Sequence, residues 1–172
     1  MFTKTQFLDT CRFETRVIQH LATKVLPGRL EWRPTPKQRS TLELLRYLTT
    51  CAIVPAQAMV SGSWDHAEPA EKAAEAVTAE TFASGMDAQM KALEALVAPL
   101  SERELLERKA ELPWGAPNQL GEALVNTVVK PLVAYRMQLF LYAKESGNAD
   151  LCLLYTSPSP RDRTRSRMPS SA

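Results

Sequence analysis

Residues 118–145 read NQLGEALVNTVVKPLVAYRMQLFLYAKE, and this stretch decides the fold. Apolar side chains recur in it at steps of three and four, which is the spacing of one face of an α-helix. Asn118 is a suitable N-cap, and Gly147 supplies a signal for the helix end. Because so long a helix cannot bury its apolar face alone, the pattern predicts that other helices surround it. The predicted inward row is Leu120, Leu124, Val128, Leu132, Tyr135, Leu139 and Tyr142.

Capping boxes mark the starts of three further helices. In such a box a Ser or Thr side chain accepts from the backbone three residues later, and a Glu or Gln there returns the bond. The three pairs are Thr3 with Gln6, Ser40 with Glu43, and Ser101 with Glu104. With the apolar periodicity, they predict helices at 3–26, from 41 with a kink or break at Pro55, at 78–100, at 101–109 and at 118–145.

The sequence therefore predicts an all-α fold, a four-helix bundle over residues 1–150. It has a long loop between helices 1 and 2 and a short extra helix before helix 4. No stretch shows the alternating hydrophobicity of a β-strand, and residues 61–71 are predicted to form a loop. The 31–40 loop is long enough to cross one end of a bundle, which leaves an up-down-down-up helix order open.

The charge of the chain is concentrated at its C-terminus. The whole chain carries +2, from 21 Lys and Arg against 19 Asp and Glu. Four arginines and one aspartate lie in 151–172, so residues 1–150 are nearly neutral. This balance predicts no nucleic-acid surface. No apolar run reaches membrane-spanning length and no signal-peptide pattern opens the chain, so we expect a cytoplasmic protein with no membrane partner.

The three cysteines are predicted to be free thiols. Cys11, Cys51 and Cys152 show neither a CxxC pair nor the spacing of metal ligands. Buried, unreactive thiols are the simplest interpretation of this arrangement.

Residues 151–172 differ from the rest of the chain. They are rich in Ser, Pro and Arg and show no helical or strand period, which predicts disorder. The segment CLLYTSPSPRD, at 152–162, closely resembles translated sequencing-adapter read-through. We therefore interpret 151–172 as a non-native tail and assign no function to Arg161, Arg163, Arg165 and Arg167.

Two segments of the body resemble the DinB-like family of four-helix bundles, also called YfiT-like metalloenzymes. The first is Trp32-Arg33-Pro34 leading to Ser40 and LELLRYL, and the second is YRMQLFLYAKESG at 135–147. The resemblance implies a bacterial-type protein with a divalent metal held by three histidines. One of these follows the Leu-Leu step of helix 2, and two are spaced i, i+4 before an Arg-x-Gln step in helix 4. Relatives with this trio resemble thiol-dependent transferases, isomerases or hydrolases.

This sequence departs from the family at all three ligand positions. Tyr47 stands at the helix-2 position, and Pro131 with Tyr135 stands at the helix-4 pair. Neutral tyrosine is a poor ligand for zinc or nickel, and proline has no side-chain donor. The sequence therefore predicts a degenerate metal site and no cofactor.

A polar pocket is what the sequence predicts in place of the metal. Tyr47 and Tyr135 fall on inward positions of neighbouring helices, where their hydroxyls could meet each other, Gln138 or a small molecule. Arg136 would orient this pocket. Core aromatics that fill the vacated volume are the alternative interpretation. The function that follows is a non-catalytic bundle that binds a small molecule or self-associates as a homodimer.

One enzymatic alternative stays open at this point. Asp65, His66 and Glu68 cluster in the 61–71 loop and could hold a metal over the mouth of the bundle. The protein would then be a metal-dependent transferase or hydrolase with a non-standard site.

Overall fold

The computed structural model describes residues 3–152, which form a helical bundle with one short strand pair. Its last three helical segments are continuous and are called the long helix below. The predicted all-α bundle, with a short helix before its last helix, is confirmed. The elements in chain order are α1 (Lys4–Ala22), α2 (Thr41–Leu48), α3 (Ile53–Ser61), α4 (Ala67–Ala74), α5 (Phe82–Val97), α6 (Glu102–Glu107), β1 (Lys109–Ala110), β2 (Asn118–Gln119), α7 (Leu120–Leu124), a π-helical turn (Val125–Val129) and α8 (Lys130–Glu145).

Four packed units make the bundle: α1, α2 with α3, α5, and the long helix. When two units are parallel, the residue numbers of their contacting pairs rise together. When two units are antiparallel, one number rises as the other falls. The order is up-down-down-up, with α1 packed between α5 and the long helix. Two units are antiparallel to a neighbour: α1 to α5, through Lys4–Ala98 and Gln19–Ala83, and α2 to the long helix, through Arg39–Tyr142 and Tyr47–Tyr135. Two pairs of units are parallel: α1 and the long helix, through Glu14–Arg136 and Lys24–Asn148, and α2–α3 and α5, through Arg46–Val77 and Ala52–Gln89.

All three predicted capping boxes are present, with both reciprocal bonds in each. The start of the long helix differs from the prediction. Asn118 pairs in β2 rather than capping, and Gln119 is the N-cap of α7 without a side-chain bond. The first helix also ends earlier than expected, at Ala22, because Lys24 and Val25 turn back to carbonyls only three residues away.

The break between α2 and α3 lies before Pro55, where the kink was predicted. α2 ends at Leu48 and α3 begins at Ile53. The buried Gln89 of α5 spans the gap: its Oε1 accepts from the Ala52 amide at 2.9 Å, and its Nε2 donates to the Leu48 carbonyl at 2.9 Å. A side chain from another helix thus satisfies the backbone groups that the break exposes.

Two elements were not predicted. Residues 67–74 form α4, which begins inside the predicted 61–71 loop, with Pro69 in the first turn, where its missing amide costs no helix bond. The second is the antiparallel pair of β1 with β2, which is only two residues long on each side. Elements this short carry too little periodicity to be read from a sequence.

The predicted inward row of the long helix forms the centre of the core. All of its members are buried except Tyr135, which is half-buried. Leu151 also joins the core, whereas the rest of the predicted tail, from 153, lies outside the described residues. Cys11 and Cys51 are buried free thiols, and Cys152 is partly exposed. Within 3–152 no helix combines the length and the apolar character that a membrane crossing requires.

Candidate functional site

The structure places Tyr47 of α2 against Tyr135 of α8. Their ring centroids lie 4.7 Å apart, and the ring planes meet at 64° in an edge-to-face contact. The Arg39 guanidinium carbon lies 4.2 Å from the centroid of the Tyr47 ring. Burial, with the Tyr135 side chain beside it, raises the pKa of the Tyr47 phenol above its usual value. Tyr47 is therefore neutral at physiological pH and serves as an aromatic surface.

A cavity of about 180 Å³, here called the central cleft, opens beside Tyr47. It lies between the α2–α3 break and the π-helical turn. Trp64 from the α3–α4 loop and Trp114 from the β1–β2 connection form its outer walls, and Glu71 of α4 reaches it as well. The remaining wall residues are Thr50, Cys51, Val54, Pro55, Thr127 and Pro131.

The π-helical turn of the long helix forms one wall of the central cleft. Pro131 lacks an amide hydrogen, so the regular i to i−4 pattern fails near it. The Lys130 amide instead donates to the Val125 carbonyl, five residues back, and the Thr127 hydroxyl donates to the Ala123 carbonyl at 2.8 Å. Single π turns of this kind occur often at functional sites.

The thiol in the central cleft is not activated. Burial raises the pKa of Cys51 to about 12, and its Sγ donates to the Leu48 carbonyl at 3.5 Å. A thiol with this pKa remains protonated at neutral pH and is a weak nucleophile. The cleft thus holds no thiolate.

Gln138 and Arg136 lie outside the central cleft. Gln138 Nε2 donates to the Tyr142 hydroxyl at 2.8 Å, and that hydroxyl donates to the Arg39 carbonyl at 3.1 Å. Tyr142 also meets Trp32 edge-on, with ring centroids 5.2 Å apart. Gln138 therefore orients the Tyr142 hydroxyl, which bonds the loop before α2. Of the four residues predicted to line a pocket, only Tyr47 lines the cleft, and Tyr135 packs behind it.

Arg136 faces α1 instead, where it forms a partly buried ion pair with Glu14. Its Nη1 lies 2.9 Å from both carboxylate oxygens, and the Glu14 side chain is only 7% exposed. Burial raises the pKa of Glu14, and the positive charge of Arg136 opposes this rise. Glu14 Oε2 and Arg136 Nε make no hydrogen bond within the described residues. The pair therefore joins α1 to α8.

The sequence does carry a signal for Glu14, although the predicted site did not include it. Glu14 completes the inward row of α1, whose steps of four and three run through Phe7, Cys11, Ile18 and Leu21. A charged residue within such a row predicts a buried partner. No comparable signal existed for the two tryptophans, because each lies in a loop outside any periodic element.

Asp65, His66 and Glu68 do not form a ligand set. His66 Nε2 lies 2.8 Å from the Val54 carbonyl oxygen, which requires this nitrogen to donate. Across residues 3–152, no group of three or more His, Cys, Asp and Glu side chains is arranged to hold a metal ion. The imidazole instead ties the α3–α4 loop to α3.

A second cavity, of about 260 Å³, lies near the start of α1. It is lined by Phe7 with Leu105 and Leu106 of α6 and Leu124 of the long helix, and its walls are mainly apolar. Gly121 permits the close approach of α6, because a Cβ there would lie 3.1 Å from the Leu105 carbonyl oxygen. This apolar cleft contains none of the predicted site residues.

The fold matches that of a solved protein. It superimposes with a TM-score of 0.65 on the crystal structure of a DinB-like protein, YjoA from Bacillus subtilis, covering 83% of this chain and 92% of that chain at 19% identity. Comparisons with protein-family models and with curated proteins found no match. The chain therefore has a DinB-like fold, as its sequence predicted.

Proposed function

We propose that this protein is a non-catalytic DinB-like bundle that binds a small organic molecule in the central cleft without a metal. The observation that carries the proposal is the central cleft itself, which has Tyr47 and Pro131 in its walls. These two residues occupy positions at which the family resemblance implies metal-binding histidines. The cleft thus lies where the resemblance implies a metal site, and its side chains differ from the implied ligands.

The residues at the three implied ligand positions do not fit a divalent metal. Pro131 offers no donor atom, and Tyr47 holds its proton because burial raises its pKa. Tyr135 packs its ring against Tyr47. The surroundings instead suit an organic molecule, since aromatic and aliphatic side chains supply most of the wall. At about 180 Å³ the cleft accepts a compound of only a few heavy atoms.

Thermal stability with a library of small, polar and charged organic compounds tests the proposal. A ligand at ten times its Kd stabilises the folded state by about 1.4 kcal/mol, which raises the Tm of a domain this size by roughly 3–5 °C. We expect such ligands, and we expect their effect to persist in the presence of EDTA.

Two exposed residues provide a matched pair of variants. Trp114→Ala removes a wall of the central cleft, whereas Leu106→Ala changes the apolar cleft near α1. Stabilisation lost in Trp114→Ala and kept in Leu106→Ala would support the proposal. The proposal would be contradicted if Leu106→Ala rather than Trp114→Ala abolished the stabilisation, or if the stabilisation required a metal. It would also be contradicted if no compound stabilised the protein.

Self-association is a second candidate, favoured by the outer surface of α8. Val133, Met137 and Leu141 recur at steps of four and are each more than a third exposed, although all three are large and apolar. Such a stripe suits packing against a second copy of this chain. Sedimentation equilibrium tests it: a dimer that Met137→Glu dissociates supports the candidate, and a monomer at high concentration excludes it.

A further inference from the structure

The walls of the central cleft combine aromatic rings with a single charged group. Tyr47, Trp64 and Trp114 are its aromatic members, and among the residues of 3–152 that line it Glu71 is the only one with a charged side chain. Aromatic faces carry negative electrostatic potential and attract cations, with tryptophan giving the strongest attraction. Arg39, placed 4.2 Å from the Tyr47 ring centroid, is an example of such an attraction within this molecule.

Three polar side chains of the cleft, two hydroxyls and one thiol, already donate their hydrogens to backbone carbonyls. The Thr50 hydroxyl donates to the Tyr47 carbonyl at 3.1 Å, and the Thr127 hydroxyl donates to the Ala123 carbonyl at 2.8 Å. The Cys51 thiol likewise donates to a backbone carbonyl. These groups therefore present lone pairs rather than hydrogens to a ligand, which disfavours an anion and suits a cation.

The Glu71 carboxylate is available to a ligand. It is exposed, and none of the ion pairs among the described residues includes it. Glu71 also lines an adjoining outer cavity of about 490 Å³, together with Glu43, Glu75, Arg39 and Arg46. There Arg46 Nε donates to the Val77 carbonyl at 3.0 Å, so this cation is partly engaged elsewhere.

We propose that the central cleft selects an organic cation, such as a quaternary ammonium or alkylated amine group, between its aromatic side chains and Glu71. This inference rests on the proposed function, because it names the ligand class of the same cleft. A compact ammonium group suits the volume of about 180 Å³. The outer cavity leaves room for a substituent of that group to extend toward solvent.

Choline and its uncharged isostere 3,3-dimethylbutan-1-ol form the decisive pair of probes. They share shape and hydroxyl group and differ in the charge of one centre. Calorimetric titration of the full-length protein with each compound is expected to show choline binding at least about tenfold more tightly. Quenching or shift of tryptophan fluorescence provides a second readout, since two of the three tryptophans line the cleft.

Single variants locate the effect. Trp64→Leu and Trp114→Leu should each weaken choline binding about two- to fivefold, and Glu71→Gln about threefold. The alcohol should bind equally well to the protein and to Glu71→Gln. Glu75→Gln is the matched control, because Glu75 lines the outer cavity but not the central cleft. These side chains are exposed, so the fold should be retained, and circular dichroism verifies this.

The outcomes separate this inference from the proposed function. Equal affinity for choline and the alcohol would overturn the cation inference while leaving the cleft as a ligand site. Tighter binding of 3,3-dimethylbutyrate, an anion of similar shape, would do the same. The cation inference also fails if choline does not bind at millimolar concentrations although library compounds bind in a Trp114-dependent manner. If no compound of any charge binds the cleft, both proposals fail.

Discussion

Two adjacent residues of α8 belong to opposite kinds of environment. Tyr135 faces α2, where it packs edge-on against Tyr47 in an aromatic, uncharged contact. Arg136 faces α1, where it meets the buried carboxylate of Glu14. One step along a helix turns the side chain by about 100°. A single helix thus separates an aromatic contact beside the central cleft from an ion pair with α1.

The difference between these faces indicates where this fold can vary. The Glu14–Arg136 pair joins two helices and its carboxylate is buried, so loss of Arg136 leaves an uncompensated buried charge. On the tyrosine side a cavity adjoins the contact and the two phenols are uncharged, so we expect substitutions of these tyrosines to cost less. We infer that the ion pair maintains the bundle, whereas the tyrosine side carries the ligand chemistry.

Breaking the ion pair should have the largest effect. Arg136→Ala leaves Glu14 buried without its partner and is expected to lower the free energy of unfolding by about 3 kcal/mol. Urea unfolding followed by circular dichroism measures it. The double variant Glu14→Leu with Arg136→Met should lose much less, because no buried charge remains. If the single and double variants lost the same free energy of unfolding, the cost would not come from an unpaired buried charge.

Introducing histidines tests whether Tyr47, Pro131 and Tyr135 occupy the positions of the family's metal ligands. Tyr47→His, Pro131→His and Tyr135→His together should create a site for zinc or nickel, since i and i+4 residues share a helix face. At one hundred times its Kd, the metal should stabilise the variant by about 2.7 kcal/mol. The unmodified protein serves as the control. A folded triple variant that binds neither metal would show that these three positions are misassigned.

Removing the tyrosine hydroxyls should have a smaller effect. Tyr47→Phe and Tyr135→Phe keep the edge-to-face ring contact and are each expected to change the free energy of unfolding by less than about 1 kcal/mol. Urea unfolding at neutral pH measures the change. A loss comparable with that of Arg136→Ala would indicate that a buried hydroxyl network, rather than ring packing, joins α2 to α8.

The pH dependence of stability should show the smallest effect, through Glu14. Burial raises the folded-state pKa of Glu14 above 4.5, so as the pH falls the folded protein takes up this proton before the unfolded chain does. The contribution of Glu14 to stability therefore grows as the pH falls from the raised pKa toward 4.5, and it is lost as the pH rises. Urea unfolding of the protein and of Glu14→Gln across this range should diverge with that sign. If the two proteins showed parallel curves of stability against pH, the pKa of Glu14 would not be raised in the folded state.

The sequence was informative where a signal is local or periodic. The capping boxes at Thr3, Ser40 and Ser101 depend on residues three apart, and all three formed as predicted. The inward row of the long helix depends on one periodicity, and its core position is confirmed. Such features predict the bundle without knowledge of its packing.

The features that escaped prediction depend on partners distant in sequence. Gln89 bonds the backbone at the helix break before Pro55, some forty residues earlier in the chain. Arg136 meets Glu14 across 122 positions, and Trp64 and Trp114 line one cleft although 50 positions separate them in the sequence. Neither propensity nor spacing within one element encodes these pairings. The lining of the central cleft therefore became visible only with the fold.

Metal content measures the central claim most directly. The full-length protein is exposed to zinc, nickel, iron and manganese, freed of excess ion and analysed for each element. We predict far less than one metal per chain in every case, because Tyr47, Pro131 and Tyr135 do not supply a ligand set. About one tightly held metal per chain would contradict a metal-free ligand site.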